Sequence, residues 1–302
     1  MNNELKKNII LTIVGPSNSG KSTLLNKILG KKIAIVTHKT QTTRSGLKGI
    51  AIRKNVQLIF IDTPGIFSGK NKFEKAMVKN ALSTLEDSDL ILLVVDSRMK
   101  INLIDRKLID VIKKFHFKSL LILNKIDLVK KEDLIKKSIE LNDSVDFLHT
   151  FMISAKSGSG VNDLIELATK KAKSNDWLYP EDQIADTQNS LLSSEVTREK
   201  IFLNVHDEIP YLCMVKTEAW DENKKIIKIS QTIIVAKKNH IGIILGKNGS
   251  KIKRIGIESR LELEKLLDKK IHLSLNVKFK KDWDRVPDNY ELIGLDFSER
   301  GP

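Results

Sequence analysis

Hydrophobic positions in the first 173 residues follow two alternating rhythms. Residues 9–14, 56–62, 90–96 and 119–124 are short, almost unbroken apolar runs, the pattern of strands buried on both faces. Between and after them, residues 23–29, 73–85, 105–115, 132–141 and 160–173 space their apolar positions as helices do. Residues 46–53 and 151–153 read as two further strands. This alternation predicts an α/β fold, a doubly wound and mostly parallel sheet with ligands at the C-terminal strand ends. Past residue 173 the rhythm changes. Residues 174–190 are polar, contain Pro180 and show no period, so an ordered connector is expected there. Residues 191–205 are spaced as a helix with Arg198, Glu199 and Lys200 expected on its exposed side. Residues 211–219 and 225–236 alternate as a strand pair around the turn 221–224, and 271–278 reads as another strand. The predicted organisation is a first domain at 5–173, the connector at 174–190, a smaller α+β domain at 191–285 and a tail at 286–302.

Candidate chemistry collects at the ends of the predicted strands. Gly15-Pro16-Ser17-Asn18-Ser19-Gly20-Lys21-Ser22 joins the first strand to the first helix. Its glycines permit tight turns and close backbone approach. The N–H groups of Asn18, Ser19, Gly20, Lys21 and Ser22, with Thr23 following, can then face phosphate oxygens over a helix N-terminus. Lys21 would reach the β- and γ-phosphates, and the Ser22 hydroxyl would ligate Mg²⁺. Asp62-Thr63-Pro64-Gly65 ends another strand, where Asp62 can hold the Mg²⁺ shell through water and the Gly65 N–H can meet a γ-phosphate. Asn124-Lys125-Ile126-Asp127 follows a third. The Asp127 carboxylate can accept from N1–H and the 2-amino group of guanine, while Asn124 can contact the opposite base edge. Adenine lacks those donors and would leave the carboxylate unpaired, which argues against an ATP-dependent kinase. After the strand at 151–153, Ser154-Ala155-Lys156 can bring a backbone N–H to guanine O6.

Composition adds a second polyanion to the picture. The 302 residues suit two domains, and 41% hydrophobic content suffices for packed cores. The formal charge is +14. Residues 235–285 hold fourteen Lys and Arg against six Asp and Glu, so a net +8 falls in this small region. Within it, Gly246-Lys247-Asn248-Gly249 lies between two short helical patterns. Such a loop lets the backbone approach a sugar–phosphate chain, with Lys247, Lys251, Lys253 and Arg254 around it. Aromatics are scarce, and Trp283 is the clearest candidate for stacking on a base. Base readout would rest mainly on hydrogen bonds and apolar contacts. The one cysteine, Cys213, precludes an internal disulfide and reads as a small buried hydrophobe. No signal-peptide pattern opens the chain and no apolar run reaches a membrane span, so a soluble cytoplasmic protein is expected.

The four elements of the first domain, in this order, resemble those of the translation-factor-type GTPases. Gln41-Thr42-Thr43-Arg44 resembles the effector loop of the Era branch, and Gly246–Gly249 with its flanking pattern resembles a type II KH domain. The resemblance covers nearly the whole chain. It implies a P-loop GTPase followed by a KH domain, with Thr43 ligating Mg²⁺ in the triphosphate state and Asn18 placed to help hold K⁺. It further implies binding of 16S rRNA near its 3′ end, a role in 30S subunit assembly, and peripheral association with the inner membrane. A monomer is expected. Ile66 stands where Ras-type enzymes carry a water-orienting glutamine, so slow hydrolysis resting on Lys21, Thr43, Gly65 and Mg²⁺ is expected. Pro16-Ser17-Asn18-Ser19 departs from the branch's usual Arg-Pro-Asn-Val, with Ser17 beside the γ-phosphate. Two other readings stay open on the residues: a signalling GTPase whose basic domain contacts protein or acidic lipid, and an RNA-binding protein that keeps nucleotide as a structural ligand.

Overall fold

The structure is a computed structural model and describes residues 5–36, 46–64, 72–100, 106–114, 118–186, 188–205 and 209–291. The chain divides into two compact units, one of residues 1–34 and 43–186, the other of 35–42 and 187–302.

In the first unit the strands are β1 (Lys7–Val14), β2 (Leu47–Arg53), β3 (Val56–Asp62), β4 (Leu90–Asp96), β5 (Ser119–Asn124) and β6 (His149–Ile153). They form a sheet in the order β2-β3-β1-β4-β5-β6, parallel throughout except for the β2/β3 hairpin. The mostly parallel doubly wound sheet is as the apolar runs predict. Every residue of β3, β4 and β5 is buried, which is why these strands read as continuous runs and not as alternations. Alternate side chains along them feed two different cores. Ile9, Leu11, Ile13, Leu92 and Val94 pack with α1 (Lys21–Leu29) and α5 (Val161–Lys171). Val14, Ile91, Leu93 and Val95 pack with α2 (Lys72–Glu86), α3 (Arg106–Lys114) and α4 (Lys131–Ser144). Helices on both faces leave the loops at the C-terminal strand ends as the place for chemistry.

The connector is ordered by β1, β3 and β2 of this sheet. A two-residue strand, β7 (Lys173–Ser174), pairs antiparallel with Lys7 and Asn8. Gln57, fully buried, donates from Nε2 to the Tyr179 carbonyl (2.8 Å) and accepts the Leu178 and Tyr179 N–H groups at Oε1 (2.8 and 3.1 Å). Farther along, the Ile50 N–H donates to the Ile184 carbonyl (2.7 Å) and the Asp186 N–H to the Lys48 carbonyl (3.1 Å).

The second unit contains α6 (Asn189–Asn204), β8 (Cys213–Glu222), β9 (Ile226–Val235), α7 (Lys238–Leu245), α8 (Ser250–Leu267), β10 (Lys270–Phe279) and α9 (Pro287–Glu291). Its sheet runs β10-β9-β8, with β9/β10 parallel and β8/β9 antiparallel. Ile201, Cys213, Val215, Ile233, Val235, Ile244 and Ile255 form its core, so Cys213 is the buried small hydrophobe expected. The β8/β9 turn lies later than the predicted 221–224. The Asn223 side-chain oxygen accepts the N–H groups of Lys225 and Ile226 (3.0 and 2.9 Å), which moves the reversal past Glu222. Two expectations fail here. Arg198, Glu199 and Lys200 are buried, not exposed, because each finds an opposite charge: Arg198 pairs with Glu195, and Lys200 with both Glu199 and Glu262. Trp283 is no stacking platform. It is 2% exposed, and its indole N–H donates to the Leu212 carbonyl (3.2 Å).

Candidate functional sites

In the first unit the turn after β1 is built from backbone shapes that few residues adopt. Gly15 and Gly20 have φ of 144° and 99°, and Asn18 takes a left-handed φ of 62°. A Cβ on Gly15 would lie 2.1 Å from the Val94 carbonyl oxygen, and one on Gly20 would lie 2.2 Å from Asn124 Nδ2. Both glycines are therefore fixed by close approach as well as by φ. Lys21, at the start of α1, is 7% exposed, and its ammonium donates to the Gly15 and Pro16 carbonyls (both 3.0 Å). Burial pushes the Lys21 pKa down, with the Asp62 charge acting the other way. The ammonium thus lies across the mouth of the loop, on carbonyls that an anion can replace. Ser22 Oγ donates to Asp62 Oδ2 (2.6 Å), joining the loop to the end of β3. The Thr63 hydroxyl and N–H both donate to the Ile13 carbonyl (2.9 and 3.3 Å). Thr43, Gly65 and Ile66 lie outside the described residues.

Asn124 holds two loops together. It is 1% exposed, its Nδ2 donates to the Ser19 carbonyl (2.8 Å), and its Oδ1 accepts the Ala155 N–H (2.9 Å). Both ends of the amide are engaged by protein, so the side chain braces the Gly15–Ser22 turn against the 154–156 loop, and the amide still carries a second N–H and a second lone pair. A trans peptide sets C=O and the next N–H on opposite sides. Holding the Ser19 carbonyl outward therefore aims the Gly20 N–H inward. Asp127, by contrast, is exposed, and a hydrogen bond from the Ser154 hydroxyl, with Lys156 and Arg98 nearby, holds its carboxyl below the usual range. It is presented ionised, as an acceptor for paired N–H donors. Ser154, Ala155 and Lys156 are brought beside it by a tight return in which the Gly158 N–H donates to the Ser154 carbonyl (2.7 Å).

The second unit presents a different kind of site. Gly246 (φ 71°), Asn248 (φ 52°) and Gly249 (φ 72°) turn the chain from α7 into α8. A Cβ on Gly246 would sit 2.7 Å from Lys251 Cβ, whereas one on Gly249 would meet nothing within 4 Å. The backbone at Gly249 is thus bare for a ligand to approach. Lys247, Asn248, Lys253 and Arg254 are exposed and Lys251 half-buried around it, with Arg254 paired to Glu258 one turn on (2.8 Å). Beside the loop, Ile252, Gly256, Ile257, Leu273 and Leu275, with Lys253 and Arg260, line a groove of about 310 Å³ between α8 and β10. Sequence reasoning named only the charged rim. The apolar floor follows from the half-exposed alternation of β10 facing the solvent side of α8, a pairing that no local pattern declares.

The family described as 50S ribosome-binding GTPase matches residues 10–125, and the KH domain family matches residues 208–284. GTPase Era of Agrobacterium fabrum is 44% identical over 288 residues, which is 95% of this chain and 91% of that protein. The chain belongs to the Era family of GTPases. Era of Rickettsia conorii is 43% identical over 96% of this chain and 86% of that protein. Two solved Era structures, each 32% identical, superpose along almost the whole length. Era in complex with MgGDPNP and nucleotides 1506–1542 of 16S ribosomal RNA does so with a TM-score of 0.91, covering 97% of this chain and 100% of that one. A tyrosine-to-alanine variant of Aquifex aeolicus Era bound to GDP and AlF4⁻ gives 0.90 over 96% and 100%. As an Era GTPase, the chain has a P-loop GTPase fold followed by a KH domain, as its motifs imply.

Proposed function

We propose that this chain is a GTP-driven RNA-binding factor that engages 16S rRNA near its 3′ end and assists assembly of the 30S subunit. The carrying observation is the presence, on one chain, of a guanine-selective phosphate cradle and a bare GxxG turn beside a basic-rimmed apolar groove. The domain division that goes with this reading is 5–173 for GTP, 174–190 as connector, 191–285 for RNA and 286–302 as tail, with residues 174–186 of the connector belonging to the same compact unit as the GTP domain.

The residues present fit a Mg²⁺–guanine nucleotide. Gly15 and Gly20 let the loop pack directly against the Val94 carbonyl and the Asn124 amide, and the buried Lys21 ammonium rests on loop carbonyls that phosphate oxygens would supplant. Ser22 and Thr43 would hold Mg²⁺ directly and Asp62 through water, and Asn18 is the place for K⁺. Bound Mg²⁺ supplies charge neutralisation at the phosphoryl oxygens. Lys21 binds the β- and γ-phosphates, and the N–H groups of Asn18, Ser19, Gly20, Ser22, Thr23 and Gly65 orient them. Asp127 selects guanine and Asn124 contacts the opposite base edge, with Ser154, Ala155 and Lys156 closing the base pocket and Lys125 bracing it. With Ile66 in place of a glutamine, hydrolysis is slow, and Lys21, Thr43 and Gly65 carry it. On the RNA side, Gly246, Asn248 and Gly249 admit the sugar–phosphate chain, while Lys247, Lys251, Lys253 and Arg254 neutralise it.

No helix among the described residues is long and apolar enough to cross a membrane. We place the protein in the cytoplasm, as a monomer, with peripheral contact on the inner membrane as a further expectation. Crosslinking to total RNA with GTP or GDP bound tests the reading. Enrichment of the 3′ end of 16S rRNA that changes with the nucleotide supports it, and crosslinks spread evenly over RNA in both states overturn it.

A further inference from the structure

At the C-terminal end of β4, Asp96 is nearly buried and saturated with donors. Its Oδ2 accepts Lys125 Nζ (2.9 Å) and Arg98 Nη2 (2.8 Å), and its Oδ1 accepts the Arg98 backbone N–H (2.9 Å) and Nε (3.1 Å). The same Lys125 ammonium donates to the Asn18 carbonyl (2.6 Å). Its stem runs over the phosphate loop, with Cε 3.9 Å from where a Gly20 Cβ would stand. Lys125 adopts a left-handed φ of 64°, which turns its side chain back from the base loop toward this position. From α4, Lys137 donates to the carbonyls of Ser97 and Met99, so the loop that carries Arg98 is itself pinned. Burial works to raise the Asp96 carboxyl, but the hydrogen bonds from Arg98 and Lys125 outweigh it and hold the group ionised.

We propose that Asp96 is a positioning residue for nucleotide retention, acting through Lys125 to lock the phosphate loop to the base-reading loop. Planarity of the peptide gives the physical route. Lys125 holds the Asn18 carbonyl outward, which aims the Ser19 N–H into the concave side of the loop. In the structure that N–H donates to the Pro16 carbonyl (3.3 Å). Asn124 does the same for the next peptide through the Ser19 carbonyl (2.8 Å). Two adjacent peptides are thus oriented by two adjacent side chains of one tetrad, and Asp96 fixes the longer and more flexible of the two. Without the carboxylate, a four-carbon stem with several rotamers would have to find the Asn18 carbonyl unaided, at an entropic cost. The loop would then open more readily, and bound nucleotide would leave faster. Chemistry on nucleotide already seated would be little altered.

The inference rests on the guanine-nucleotide reading above, and the experiment separates the two. Release of a fluorescent GDP analogue is followed by stopped flow for the full-length wild type and for Asp96→Ala, Asp96→Asn, Lys125→Met and the double variant Asp96→Ala/Lys125→Met. Asp96→Ala is expected to release the analogue about tenfold faster, the scale of one lost charge-assisted hydrogen bond, with Asp96→Asn between it and wild type. Single-turnover hydrolysis of prebound GTP should change less than about twofold, so that the effect appears in KM and not in kcat. Because Asp96 acts through Lys125, the double variant should release no faster than Lys125→Met alone. Release by Asp96→Ala within twofold of wild type, or multiplying effects in the double variant, would overturn the proposal. Should Asp96→Ala fail to fold, Asp96→Asn and Arg98→Ala carry the same comparison. A wild-type chain that holds no fluorescent GDP would overturn the nucleotide reading itself.

Discussion

The two candidate sites of this chain are built on opposite plans. At the nucleotide site, the groups around the phosphate loop are sunk into the fold: Lys21, Asp62 and Asn124 are each 7% exposed or less, and Asp62 and Asn124 are tied to the loop by hydrogen bonds from or to other strand ends. The GxxG site has an exposed rim, a backbone with open space beside it and only short-range hydrogen bonds of its own. The contrast follows from the ligands. A nucleotide is small, so affinity and selectivity must come from a rigid cradle whose donors are oriented beforehand. An RNA strand is long, so many weak contacts along an open groove suffice, and much of the affinity comes from released counterions. Rigidity concentrates the energy at a few residues in the first site, and openness spreads it in the second.

The sharpest break in that contrast is Lys21→Ala. It removes the buried ammonium and should lower GTP hydrolysis by about 100-fold or more in a phosphate-release assay, while leaving RNA affinity of the nucleotide-free protein unchanged. Next is Asp127→Asn, which swaps a double acceptor for a group that donates. GTP affinity should fall by about 100-fold in competition binding, and xanthosine triphosphate, with a carbonyl at the 2-position, should gain. At the open site a single change should do less, so the test is a double one. Gly246→Asp with Gly249→Asp places two side chains and two negative charges on the backbone approach. It should weaken RNA binding by about tenfold to 100-fold in fluorescence anisotropy, with hydrolysis intact. If any single rim lysine cost as much, the spread-energy view of this site would be wrong.

Two smaller effects probe the rigidity of the first site. The Asp96 carboxyl is held below its unfolded value, so the stability it adds is fully present above the ordinary carboxylate pKa near 4 and is lost as pH falls from there through the folded value. Urea midpoints of wild type and Asp96→Asn should therefore differ at pH 7 and converge as the solution is acidified below about pH 4. The smallest effect belongs to Ser19. It is fully buried, and its hydroxyl has no hydrogen-bond partner among the described residues. Ser19→Ala should be neutral or stabilise the protein by up to about 1 kcal/mol in thermal or chemical unfolding.

The phosphate loop, the Asp62 turn and the Asn124–Asp127 tetrad are legible in the sequence because each is a short run placed directly after a buried strand. The same holds for Gly246–Gly249 between its helices. What is not legible depends on partners far along the chain. That Asn124 also braces the phosphate loop is hidden, because nothing local shows that it bonds Ser19, 105 residues earlier. Asp96 is visible only as an acid at a strand end, since its Lys125 partner arrives from the next strand. On α6, three successive charges read as a solvated face, yet Lys200 meets Glu262 from a helix 62 residues later. Trp283 looks free to stack until the Leu212 carbonyl takes its N–H. Periodicity locates elements, while the burial of a polar side chain is decided by a contact the period cannot see.

The way residues 175–186 run across β1 and β3 to β2 also determines where this chain can be cut. β2 is the outermost strand of the sheet, and the Ile184 carbonyl and the Asp186 N–H satisfy Ile50 and Lys48 on its open side. A fragment stopped at residue 173 would bare that side, strip Gln57 of its three bonds to Leu178 and Tyr179, and offer a ready template for edge-to-edge aggregation. One stopped at residue 186 carries its own cover. The stretch that reads as a linker is thus the last piece of the first domain's fold.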